Sequence, residues 1–121
     1  MEKLTRKEEE IMQVVWQLGK CFVKEVIERL PEPKPHYNTV STIIRNMEEK
    51  GYIGHRDFGG SHQYYPAIAR EDYRKNFMTG VIDNFFDNSY KNVVSYFARE
   101  EKISVEELQE IIRMIKEKKK K

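Results

Sequence analysis

Apolar residues recur along this chain with two different periods, and the switches between them mark its parts. Ile11, Val14, Val15 and Leu18, and later Val40, Ile43, Ile44 and Met47, fall three and four apart. That spacing lines one face of an α-helix. Thr5 with Glu8 three residues on is a capping box that opens the first helix, which carries Trp16 beside its stripe and stops at Gly19. A second helix is predicted over about Val23 to Leu30, with Val26, Ile27 and Leu30 inward; Cys21-Phe22-Val23 before it reads as a short strand or a helix entry. Pro31, Pro33 and Pro35 forbid helix on the way to the third. After Gly51 the period shortens to two. Tyr52 to Arg56, the turn Phe58-Gly59-Gly60-Ser61, and His62 to Tyr65 before Pro66 form the pattern of a two-stranded hairpin.

Helix, helix, helix, hairpin is the order of a winged helix, complete by about residue 69. Helical spacing then returns. Arg70 to Phe86 carries Tyr73, Phe77, Val81 and Phe85 four residues apart; Asp87-Asn88-Ser89 interrupts; Tyr90 to about Arg99 carries Val93, Val94 and Phe97. Ser104 and Glu107 form a second capping box ahead of Val105, Leu108, Ile111, Ile112 and Ile115. The expected fold is mainly α with a small β-hairpin wing. Residues 1–69 would be a winged helix-turn-helix DNA-binding domain and residues 70–121 a helical dimerisation segment. About fifty residues make a marginal core alone. Tyr73, Phe77, Val81, Phe85, Val94, Phe97, Leu108, Ile111, Ile112 and Ile115 are therefore expected to meet an identical chain, and a two-fold dimer gives two reading heads for a palindromic site.

The outward face of the third helix carries the candidate chemistry. Asn38, Ser41, Thr42 and Arg45 point away from the apolar stripe. Ser and Thr are mediocre helix formers, so their concentration here is an odd choice for stability alone. Short hydroxyls and an amide let a helix approach base edges in a major groove, and Arg45 suits a guanine edge or a phosphate. Tyr37 joins this face, Thr39 on its flank suits a phosphate, and Arg56 on the wing and Arg6 at the first helix are backbone contacts. His36, His55 and His62 show no zinc-like spacing, so no metal site is expected. No phosphate-binding loop or ordered catalytic set is present, so neither an enzyme nor a cofactor is expected. The single Cys21 excludes an internal disulfide and reads as a buried apolar residue. Without a signal peptide or a run of roughly 20 apolar residues, a cytoplasmic protein is expected.

Charge speaks against the DNA reading. Residues 1–69 hold ten Lys/Arg and ten Asp/Glu, whereas nucleic-acid binders usually show a positive footprint. The alternative is a winged helix that binds protein and does not touch DNA; a third reading is a small-molecule sensor lined by Tyr73, Phe77 and Phe85.

Leu4 to Trp16, Val23 to Leu30, Asn38 to Ile53 and the wing ending Tyr64-Tyr65-Pro66 resemble the penicillinase-repressor family, the BlaI/MecI/CopY group of winged-helix transcriptional repressors. The resemblance implies a homodimer whose C-terminal helices interlock and whose third helices bind double-stranded dyad operator DNA, blocking transcription. In the resistance-gene members a protease inactivates the repressor by cleavage within the dimerisation helices. The aligned bond here is Tyr96–Phe97, where those members carry Asn before Phe. The copper-responsive members carry Cys-x-Cys pairs at the C-terminus; this chain ends in lysines.

Overall fold

The computed structural model describes residues 2–119. Its elements are α1 (Arg6–Leu18), α2 (Val23–Arg29), α3 (Tyr37–Glu49), β1 (Ile53–Phe58), β2 (Ser61–Pro66), α4 (Arg70–Phe85), α5 (Tyr90–Arg99) and α6 (Val105–Lys119). This is a winged helix followed by three further helices. By contacts the chain forms two compact units, Met1–Arg74 and Lys75–Lys121, so the first turn of α4 belongs to the first unit.

In the first unit, α1 starts at the expected capping box. The Thr5 hydroxyl accepts from the Glu8 N–H at 3.2 Å, and the Glu8 carboxylate accepts from the Thr5 N–H at 2.8 Å. Ile11, Met12, Val14 and Val15 from α1, Val23 and Val26 from α2, and Val40, Ile44 and Met47 from α3 join one core with Cys21, Leu30, Tyr52, Ile53 and Tyr64. Leu18, Ile27 and Ile43 pack against it half-buried. Cys21 does both jobs foreseen for its segment. Its backbone pairs with Tyr64 of the wing in an isolated antiparallel bridge, and α2 begins two residues later. Burial, with Glu25 nearby, pushes its thiol up to about 11, so it stays protonated and inert near neutral pH.

The wing is longer than its alternating pattern suggested. β1 and β2 pair antiparallel from Ile53↔Pro66 to Phe58↔Ser61. Phe58 and Ser61 are thus strand residues, and only Gly59 and Gly60 turn, with φ of 53° and 85°. Positive φ at both central residues is what a two-residue hairpin turn of this hand demands, and glycine adopts it without strain. The base of the wing is fixed by Trp16, whose indole N–H donates to the Ile68 carbonyl at 2.9 Å.

Tyr73 lies elsewhere than the dimerisation stripe predicted for it. Its ring packs on Trp16 and Tyr52, with centroids at 5.4 and 5.9 Å, and its hydroxyl donates to Glu9 at 2.5 Å. Burial and the Glu9 carboxylate both hold that phenol well above its usual range. The four-residue spacing from Tyr73 to Phe85 marks one helix face, but it does not say that the whole face meets the same neighbour.

In the second unit, α4 ends where Asp87 and Asn88 take left-handed φ of 51° and 59°, a conformation Asn and Asp tolerate better than most residues. Ser89 caps α5 by accepting from the Asn92 N–H. Ser104 and Glu107 form the second capping box through reciprocal bonds of 2.9 and 3.0 Å. Among the described residues of this unit, Ile82 is the one buried apolar side chain. Phe86 and Tyr96 meet edge to face at 5.7 Å.

Candidate nucleic-acid interface

The buried stripe of α3 fixes what the helix shows outward. With Val40, Ile44 and Met47 inside, Tyr37, Asn38, Thr39, Thr42, Arg45 and Asn46 are exposed and Ser41 is half-exposed. His36 provides the N-cap position but no side-chain cap bond, so the first N–H groups of α3 rely on other acceptors. The Arg45 guanidinium reaches back to the Thr42 hydroxyl at 3.4 Å, which aims it along the exposed face.

Two clefts flank this face. On one side Tyr37 and Ser41 line a depression with Phe22, Lys24, Gly60, Ser61 and His62, between the start of α2 and the wing tip. On the other, Thr39 lines a groove with Lys7, Glu10 and the proline-rich link before α3. Lys24 was not foreseen beside this helix, because sequence spacing cannot report which loop folds against which helix.

The wing residues divide by strand alternation. Arg56 and Gln63 pair across the strands, with Arg56 Nε donating to the Gln63 carbonyl oxygen at 2.8 Å and the guanidinium 5.9 Å above the Phe58 ring. His55, Asp57, His62 and Tyr64 take the other face. Arg6 is exposed at the first position of α1. The structure therefore gathers Tyr37, Asn38, Thr39, Ser41, Thr42 and Arg45 on one helix, and sets Arg56 on the hairpin and Arg6 on α1.

The charged side chains of the first unit differ in how they are partnered. Several acids of the first unit are committed internally. Glu8 bonds Lys50 at 2.7 Å, Glu9 accepts from Tyr73, Glu25 accepts from the Phe22 N–H, and Glu48 bonds His55 at 2.5 Å. Burial pushes the Glu8 carboxyl up, but the bonds from Lys50 and Thr5 outweigh it and hold Glu8 below the usual carboxylate range. Arg6, Lys7, Lys24 and Arg45 make no ion pair among the described residues. Glu48, in the last turn of α3, is turned onto the wing.

The sequence profile described as "Penicillinase repressor" matches residues 4–117. The chain belongs to the penicillinase-repressor family, a family of winged-helix repressors. It is 24% identical over 116 residues to the penicillinase repressor of Bacillus licheniformis, covering 95% of this chain and 91% of that one. It is 21% identical over 117 residues to the methicillin resistance regulatory protein MecI of Staphylococcus aureus strain N315, covering 96% and 95%. The MecI of Mammaliicoccus sciuri is 20% identical over the same length. Full-length coverage at this low identity makes the chain a regulatory protein of the penicillinase-repressor type, with residue-level roles resting on its own geometry. No helix among the described residues is long and apolar enough to cross a membrane.

Proposed function

We propose that this penicillinase-repressor family member is a homodimer that binds a dyad operator in double-stranded DNA and blocks transcription there, in the cytoplasm. The observation that carries this is α3 itself: a helix locked by three buried side chains that offers short hydrogen-bonding groups and one arginine, flanked by unpaired cations. Its N-terminal half enters the major groove, where Asn38, Ser41 and Thr42 reach base edges and Arg45 a guanine edge or a phosphate. Tyr37 and Thr39 meet the sugar-phosphate backbone beside them. Arg56, steadied by Gln63, and Arg6 bind phosphates on either flank and set the register without reading sequence.

The second copy is supported by the helices after the wing. Phe85, Val94, Phe97, Ile111, Ile112 and Ile115 are exposed on the isolated chain, Phe85 to 78%. Val81 and Leu108 are half-buried beside them, and Phe77 is 54% exposed. Apolar side chains at this density are covered when two copies associate. Cleavage at Tyr96–Phe97 is the inactivating step that the family resemblance suggests. That bond lies inside α5, so a protease must first unwind the helix to take it as an extended strand.

The test is a titration of duplex DNA from upstream of the chain's own gene, read by fluorescence anisotropy, with wild type and Arg45→Ala. Loss of one good base contact weakens binding by about 1–3 kcal/mol, roughly five- to 150-fold. Equal affinity of the two proteins would overturn the assignment of α3 as the reading helix.

A further inference from the structure

The face of the wing turned away from Arg56 carries a set of side chains that the repressor reading does not use. Strand alternation places His55 and Asp57 on it from β1, and His62 and Tyr64 from β2, with Asp57 directly opposite His62. The His55 and His62 rings stand edge to face with centroids 4.3 Å apart. One donor atom from each of His55, Asp57 and His62 lies within 4.8 Å of the other two. These residues are seven apart and two apart in sequence, which is why no motif announces them; the register of the hairpin makes them neighbours.

We infer that this face of the wing is a binding site for a divalent transition-metal ion of the zinc class, held by His55, Asp57 and His62. Two imidazoles and a carboxylate are the donor set such ions take, and three protein ligands leave a fourth position to water. Metal–nitrogen and metal–oxygen bonds of about 2.0–2.2 Å around a tetrahedral ion put neighbouring ligand atoms about 3.3–3.6 Å apart. His62 Nδ1 and Asp57 Oδ1 already stand 3.4 Å apart. His55, Asp57 and His62 are exposed, so small side-chain rotations bring the third ligand in without moving the core.

A second, independent feature orients the set. Glu48 Oε2, from the last turn of α3, lies 2.5 Å from His55 Nδ1. Metal-binding imidazoles commonly give their other ring N–H to a carboxylate, which fixes the tautomer and directs the remaining nitrogen at the ion. Here Glu48 occupies Nδ1 and leaves Nε2 to bind. The same contact ties the wing to the end of the reading helix, so a bound ion would stiffen the link between them and add positive charge to the wing.

Titration of the full-length protein with Co²⁺, followed by its visible absorption bands and by displacement with Zn²⁺, tests the site directly. The expected result is one ion per protomer in a four-coordinate spectrum. His62→Ala and His55→Ala should each weaken binding by tenfold or more, and Glu48→Gln by about 10–100-fold through lost orientation. His36→Ala, the histidine outside the cluster, should bind as wild type. Circular dichroism melts keep the comparison fair, since none of the three ligands belongs to the core. Absence of saturable, Zn²⁺-displaceable binding, or equal affinity in His62→Ala and wild type, would overturn the inference. Neither outcome depends on whether the chain binds DNA.

Discussion

The two units of this chain use similar helices for opposite ends. Residues before Arg74 close a core of fifteen buried side chains, in which Met12, Val15, Val26, Val40, Ile44 and Met47 lose essentially all contact with solvent. Helices α5 and α6, with equally apolar stripes and equally good caps, keep Val94, Phe97, Ile111, Ile112, Met114 and Ile115 at 40% exposure or more. Periodicity therefore says that a helix has an apolar side, while the neighbouring elements decide whether that side is satisfied within the chain. In the first unit the wing, Trp16 and the loop at Ile68 complete the enclosure. In the second, about forty-five described residues leave the work to another surface, which we propose is a second copy.

The sharpest contrast comes from trimming one buried and one exposed isoleucine. Ile44→Ala leaves a cavity beneath α3 and should cost about 2–5 kcal/mol in urea unfolding of the first unit, at any protein concentration. Ile112→Ala should leave that transition in place and weaken dimerisation by about 2 kcal/mol, roughly thirtyfold, in sedimentation equilibrium. A single concentration-dependent transition struck equally by both changes would erase the distinction between the units.

A smaller effect sharpens the electrostatic side. Glu8 is buried, with its folded pKa held below the ordinary carboxylate range by Lys50 and Thr5. A depressed pKa means the unfolded state binds the proton first, so the stabilisation is present above the ordinary Glu range. It is lost as pH falls through that range to the lowered folded value. Glu8→Gln should flatten the acid limb of the stability curve of the first unit, followed by thermal melts from neutral pH downward; an unchanged acid limb would deny Glu8 this role. Glu107 is also held below its usual range, by its bonds with Ser104, but it is exposed, so its acid loss should be smaller and fall on α6.

The finest comparison sets the two capping boxes side by side. Thr5→Ala and Ser104→Ala each remove one side-chain cap, worth about 1 kcal/mol. The first should lower the melting temperature of the winged helix. The second should fray α6, and so register in the dimer dissociation constant measured by sedimentation.

Local chemistry made much of this legible in advance. Both capping boxes, the apolar stripe of α3, the Gly59-Gly60 turn and the break at Asp87-Asn88 each depend on residues within a few positions of one another. What stayed hidden depends on distant pairing. Cys21 meeting Tyr64, Tyr73 leaving its stripe for Trp16, and Glu48 turning onto His55 are settled by tertiary packing, which sequence spacing does not encode. The candidate interface divides in the same way. The exposed face of α3 follows from the phase of one helix, whereas Lys24 comes beside it only through the fold. A net-charge count is blind for a related reason: it cannot tell a buried Glu8 from an exposed Arg45.

The measurement closest to the central claim is a mobility-shift titration of the intact chain on DNA from upstream of its own gene, at two salt concentrations. Counterion release requires that affinity fall steeply as salt rises. The account predicts a sequence-preferring, salt-sensitive shift that saturates with two protomers per site. A folded dimer that shifts no sequence preferentially at either salt would contradict it, and would leave a protein partner as the ligand of the winged helix.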